Sequence, residues 1–150
     1  MSSDEPRIDA NEHERKHWDL CHHIIGIFYS VYNELGYGFL ETVYEEALAI
    51  ELASAGLSVA RQVPTPIWFH GRIIGEYKAD LIVNNQVLLE LKAARAIDPS
   101  HEAQILNYLR ATEIEVGLLL NFGPKPHFRR FVFENNRKGI RVNSRAFAAK

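Results

Sequence analysis

Residues 77–92 read Tyr-Lys-Ala-Asp-Leu-Ile-Val-Asn-Asn-Gln-Val-Leu-Leu-Glu-Leu-Lys. Two apolar runs rich in β-branched types flank Asn84-Asn85-Gln86, so the stretch reads as a β-hairpin. The second run is apolar on both parities until its end, which suits a central strand covered on both faces. Asp80, Glu90 and Lys92 interrupt these runs. Burying an unpaired carboxylate or ammonium is costly, so charges at such positions face a polar cleft, a partner or a metal. Alternation puts Glu90 and Lys92 on one face, and the loop decides where Asp80 falls. A three-residue loop pairs Val83 with Val87 and Asp80 with Glu90, bringing two carboxylates and a lysine together. A two-residue loop opposes Asp80 to Leu89 and, absent a bulge, turns Glu90 to the other face.

In the three-residue register the carboxylates repel at pH 7. A divalent cation relieves that repulsion, and hard oxygen ligands suit Mg²⁺ or Mn²⁺. A lysine beside them can hold an attacking water or stabilise charge developing on a phosphate. The same residues are equally compatible with a structural salt bridge of Lys92 with Glu90 or Asp80.

Outward from the hairpin, the period changes. Between about Asn11 and Leu35 the apolar residues Trp18, Cys21, Ile25, Phe28, Tyr32 and Leu35 recur every three or four positions, predicting a helix that Gly36 ends. A second helix is expected from about Leu40 to Gly56, with Val43, Tyr44, Ala47, Leu48 and Leu52 inward and Glu45 and Glu46 on the solvent face. Residues 58–63, 67–70 and 72–83 read as strands punctuated by Pro64, Pro66 and His70-Gly71. Asp98 as N-cap and Pro99 at the first helical position open a third helix to about Thr112. Val116 to Phe122 and His127 to Phe133 read as strands. The expected order is two helices, three or four strands, a helix and two strands.

With 150 residues, one domain is the default, and 47% hydrophobic and 24% charged residues describe an ordinary globular chain. No apolar run suits a membrane span and the polar N-terminus lacks a signal pattern, so a cytoplasmic, membrane-free protein is expected. The lone Cys21 excludes an intrachain disulfide and a four-cysteine metal site. From Pro124 onward eight basic residues stand against Glu134, a formal +7 that leaves −9 for the rest. A basic segment of that density can bind polyanions, although solvated basic tails are common. His13 and His17, spaced i and i+4, read as a solvated face, and His22 and His23 are accounted for by an amphipathic helix. There is no glycine-rich phosphate loop, dinucleotide fingerprint or local nucleophilic triad.

Asp80 followed by Glu90-Leu91-Lys92 resembles the D…ExK signature of the PD-(D/E)XK nuclease superfamily, with Ala79 where the signature often has proline. Gly38-Phe39-Leu40-Glu41-Thr42-Val43-Tyr44 is similar to the GxxExxY motif of a bacterial family within it, and the likeness spans roughly residues 18–133. The resemblance implies a restriction-endonuclease-like α/β core, a mixed central β-sheet flanked by α-helices. It implies residues 1–17 as an N-terminal extension, 18–133 as the nuclease-like domain and 134–150 as a basic C-terminal segment. It further implies a Mg²⁺- or Mn²⁺-dependent nuclease acting on DNA. Asp80, Glu90 and the Leu91 carbonyl would hold the metal, Lys92 would orient water, and Glu41 would be the extra acid of RecB-like nucleases.

Gln104 and Tyr108 resemble the QxxxY motif of RecB-like enzymes and, with Tyr44, would position substrate; Arg129, Arg130, Arg137 and Lys138 would grip phosphates. Glu41 in a first turn is also served by the helix dipole, but its spacing with Tyr44 and Leu48 lets it point inward, which favours a site role assisting the metal or water. A non-catalytic nucleic-acid-binding, ligand-binding or assembly module that retains the fold is the alternative. Oligomeric state is not legible.

Overall fold

A computed structural model describes residues 17–138. Helices α1 (Trp18–Leu35) and α2 (Glu41–Ser54) precede strands β1 (Val59–Phe69), β2 (Arg72–Val83) and β3 (Val87–Lys92); α3 (Pro99–Ala111) then leads to β4 (Val116–Asn121) and β5 (His127–Val132), and a short 3-10 turn, Asn135–Arg137, follows. The predicted helix portion before residue 17 lies outside the described residues.

Each boundary has a local cause. Gly36, at φ +75°, closes α1 and donates its N–H to the Tyr32 carbonyl. At the start of α3, Asp98 and His101 form a reciprocal capping box, with Pro99 in the first turn where its missing N–H costs no helical bond. His101 is thus engaged in the cap. His70 and Gly71, both at positive φ, make the two-residue turn between β1 and β2.

The sheet order is β1-β2-β3-β4-β5. All neighbours are antiparallel except β3 and β4, which run parallel because α3 carries the chain back between them. One core, containing Phe28, Tyr44, Leu48, Leu81, Leu89 and Phe122, lies under α1 and α2. A smaller one, containing Ala79, Ile82, Leu88, Ile105, Tyr108 and Leu109, lies under α3.

Three expectations are corrected. Val43, expected inward on α2, is exposed. Residues 58–63 and 67–70 are not separate strands: β1 runs unbroken through Pro64 and Pro66, tolerated because it is an edge strand. Glu45 does not face solvent. It is 9% exposed, beside Tyr44, Leu48 and Ala49, and its carboxylate accepts from Arg61 and Gln62 on β1.

The hairpin adopts the three-residue register, Val83 opposite Val87 and Leu81 opposite Leu89. Asn84 and Asn85 are both left-handed, and Gln86 N–H closes the turn onto the Val83 carbonyl at 2.9 Å. Besides a register shift between Ile67 and Trp68, a second irregularity interrupts the alternation of β1 and β2. Residues two apart on a strand share a face, yet Ala79 packs in the core under α3 while Leu81 packs under α1 and α2. On β1, Val63 and Val59 divide the same way. The pleat therefore inverts at Asp80 and at Gln62, which lies between the pairs Arg61–Leu81 and Val63–Ala79.

Candidate active site

The pairing of β2 with β3 stops at Leu81–Leu89, and the next residues on each strand are Asp80 and Glu90. There the side chains replace the backbone ladder. Asp80 N–H donates to Glu90 Oε1 at 3.3 Å, and Leu91 N–H donates to Asp80 Oδ2 at 2.8 Å. The two acids thus meet in a split between strands. Tyr77 O–H donates to Glu90 Oε2 at 2.7 Å, and the Gln62 amide reaches Asp80 Oδ1 at 3.5 Å.

The electrostatics reflect this placement. Glu90 is buried, and its carboxyl is pushed up to about 7, first by desolvation and then by Asp80; the bonds from Tyr77 and Asp80 N–H and the Lys92 charge pull the other way. Burial likewise raises Asp80, opposed by the Leu91 N–H and Lys92 and reinforced by Glu45 and Glu41. Tyr77 is held well above the usual phenol range by burial and by Glu90.

Lys92 is half-buried at the end of β3. Among the described residues it makes no salt bridge with either acid; neighbouring ion pairs include Arg61 with Glu45 and Glu46, and Arg129 with Glu102. A structural Lys92 bridge is therefore not the arrangement found. Glu41 opens α2 and accepts from Ala93 N–H at 3.4 Å, just beyond β3. It is exposed to solvent, yet its charge acts on Asp80.

The segment after β3 is held by Asn121, 2% exposed, whose amide donates to Ala94 O at 2.9 Å and accepts from Ala94 N–H at 3.0 Å. Gly123 completes the contact, since a Cβ there would lie 2.0 Å from the Ala94 carbonyl. Asn121, Gln62, Glu45 and Tyr77 are the site-forming residues that sequence reasoning does not single out. Asn121 carries a signal, a polar residue ending an apolar strand.

Of the remaining expected residues, Tyr108 is 4% exposed, accepts from the Thr65 hydroxyl at 3.0 Å and packs its ring 5.1 Å from that of Tyr77. Gln104 is exposed and borders a cleft of about 410 Å³ that Thr65, Ile67, Tyr77, Asn107 and Tyr108 also line. Tyr77 connects that cleft to Glu90. Tyr44 does not line the site. It is fully buried, stacked on Phe122 at 4.3 Å, with its hydroxyl donating to the Gly36 carbonyl and accepting from Phe39 N–H. The last position of the GxxExxY-like motif therefore fastens the α1–α2 connection, which explains its residue type without substrate contact.

The basic residues do not form one surface. Arg129 and Arg130, adjacent on β5, turn to opposite faces: Arg129 to Glu102 on α3, Arg130 over the Trp18 ring of α1. Lys138 is 3% exposed and donates to the Thr112 and Ile114 carbonyls at 2.8 and 2.7 Å, so its expected phosphate contact is corrected to a structural anchor. Arg137 is exposed in the 3-10 turn.

Among the described residues no group of three His, Cys, Asp or Glu side chains gathers around one point. Two carboxylates are nonetheless a fitting donor set for Mg²⁺ or Mn²⁺, which take one or two protein carboxylates and keep water or substrate oxygens elsewhere. Each Asp80 and Glu90 oxygen receives one hydrogen bond from the protein, leaving acceptor capacity on all four. The opposed ionisation of the pair is what a cation would relieve.

A comparison with curated proteins gives no match. The crystal structure of SSO0001 is similar in fold, with a TM-score of 0.53 and 19% identity over 73% of this chain and 57% of that one, so this chain spans little more than half of that protein. The family model described as the PD-(D/E)XK nuclease superfamily matches residues 18–131, which include both helices before the sheet, the acid pair and all five strands almost to the end of β5. The chain belongs to the PD-(D/E)XK nuclease superfamily.

Proposed function

We propose that the protein is a Mg²⁺- or Mn²⁺-dependent nuclease of the GxxExxY, RecB-like kind, hydrolysing phosphodiester bonds in DNA within the cytoplasm. Members of the superfamily act on nucleic acids and generally use divalent metals, and no helix of the described residues is long and apolar enough to cross a membrane. The observation that carries the reading is the meeting of Asp80 and Glu90 in the strand split, with Glu90 pushed up to about 7. A buried and a half-buried carboxylate set against each other are poorly explained by stability alone.

In this reading Asp80, Glu90 and the Leu91 carbonyl hold the ion. A bound divalent cation supplies Lewis-acid stabilisation of the phosphate and a more acidic water. Lys92, free of a carboxylate partner, orients the attacking water or meets charge developing on the phosphoryl oxygens. Glu41 accepts a proton or a water at the outer side of the pair. Tyr77 holds Glu90 in one rotamer and favours its ionised form. Gln104, at the rim of the neighbouring cleft, and Tyr108, behind it, position the strand.

Residues 18–133 constitute the catalytic domain in this reading, with residues 1–17 and 134–150 as flanks. Exposed Arg129 and Arg137 contribute phosphate contacts. The test is cleavage of single- and double-stranded DNA by purified protein with Mn²⁺, with and without chelator. Absence of metal-dependent cleavage together with absence of Mn²⁺ binding sinks the proposal.

A further inference from the structure

Gln62 has a left-handed backbone, φ +49°, in the middle of a strand. A residue with a Cβ adopts that conformation only where its surroundings demand it. Its neighbours suggest what is demanded. The side-chain amide donates to Glu45 Oε1 at 3.0 Å and reaches Asp80 Oδ1 at 3.5 Å, the outer limit of a hydrogen bond. Adjacent Arg61 is committed to Glu45 at 3.2 Å and to Glu46 at 3.0 Å.

The division of labour is chemical. Glu45 has a cation of its own, whereas Asp80 meets a neutral donor. A lysine or arginine in place of Gln62 would cancel the Asp80 charge that a metal ion needs, and an aliphatic residue would leave two carboxylates facing each other with no donor between them. An amide does neither.

Resting on the metal-site reading above, we propose that Gln62 is a positioning residue whose left-handed backbone aims a neutral amide between Glu45 and Asp80, keeping the Asp80 carboxylate turned into the strand split with its charge intact. Gln62 touches no substrate. It acts through Asp80, as partners of metal-ligating groups do.

Two measurements on the full chain test this. Gln62→Gly is the informative variant, because glycine keeps the left-handed backbone without steric cost while deleting the amide. In the first, Mn²⁺ is titrated into wild type and Gln62→Gly. The expected result is a Kd about tenfold weaker in a variant whose Tm is no lower than wild type, a combination that a purely structural role does not produce. In the second, the Tm shifts of Gln62→Gly, Asp80→Asn and the double variant are compared without metal, where non-additivity is expected of groups in contact.

Unchanged Mn²⁺ affinity with additive Tm shifts overturns the proposal and leaves the nuclease reading standing. Non-additive shifts in a wild-type protein that binds no Mn²⁺ do the reverse: the metal-dependent nuclease reading falls, and the placement of Asp80 by Gln62 stands.

Discussion

Tyr77 and Glu90 face each other across the strand split, the phenol O–H donating to the carboxylate at 2.7 Å. The bond favours the ionised carboxylate and disfavours the phenolate. Tyr77→Phe removes it without removing the ring that packs on Tyr108. Glu90 should then hold its proton to higher pH, by about one pKa unit for a charge-assisted bond of about 1.5 kcal/mol. The acid limb of Mn²⁺ binding, followed by titration at several pH values, should move up correspondingly. An unmoved limb would separate Tyr77 from the ionisation of Glu90.

The pH dependence of stability has a definite sign. With the Glu90 carboxyl at about 7 in the folded protein against an unperturbed 4.5, the folded state binds more protons than the unfolded state between those values. Metal-free stability should therefore fall as pH rises from about 4.5 to about 7, by on the order of 3 kcal/mol for this group. Asp80, also raised, adds in the same direction. Glu90→Gln should flatten most of the slope, and urea denaturation at pH 5 and pH 8 reads both. Equal slopes in wild type and variant would place the cause elsewhere.

Removing ligands and removing the lysine should differ in kind. Asp80→Ala and Glu90→Ala should weaken Mn²⁺ binding itself, whereas Lys92→Ala should leave Mn²⁺ bound and lower kcat by roughly 10²-fold or more, as losses of a positioned charge do. Calorimetry for the metal and single-turnover cleavage for the chemistry distinguish them. Loss of metal in Lys92→Ala would make the lysine part of the binding site.

Lys138 and Arg137 are neighbours with opposite assignments. Lys138→Met breaks bonds to the Thr112 and Ile114 carbonyls and should cost about 1–3 kcal/mol of stability, with no change in the salt dependence of DNA binding. Arg137→Ala should leave stability within about 0.5 kcal/mol and reduce the slope of log K against log salt by about one. The reverse pattern would restore Lys138 to the phosphate contacts.

The hairpin is legible in the sequence because Asn84-Asn85-Gln86 parts two apolar runs, but its register is not, since a two-residue loop fits the same residues and only the folded pairing of Val83 with Val87 decides between them. The start of α3 is legible from Asp98-Pro99. Glu45 is not, because helical period and charge conflict there: it stands four residues before buried Ala49, and the cations and amides that make its burial tolerable come from β1, distant in sequence. Tyr44 faces inward as its spacing indicates, but its partners are the backbone of Gly36 and Phe39, which only the folded connection supplies. Nothing local marks Gln62 as left-handed, since the demand arises from Asp80 and Glu45 together.

The pleat inversion at Gln62 and Asp80 also governs the outer rim of the sheet. Below it, the Ser58 carbonyl accepts from Asn84 N–H at 2.8 Å, so even-numbered positions at that end of β1 turn their backbone groups toward β2. Carried unbroken up the strand, that alternation would point the nitrogens of Pro64 and Pro66 at β2, where two ladder donors would be missing. Reversing the pleat exchanges the two sets: the odd positions bond inward and both prolines face outward. The rim of β1 then lacks two of the donors that an incoming strand would need, so the residue that serves the acid pair also leaves this edge a poor template for adding another chain.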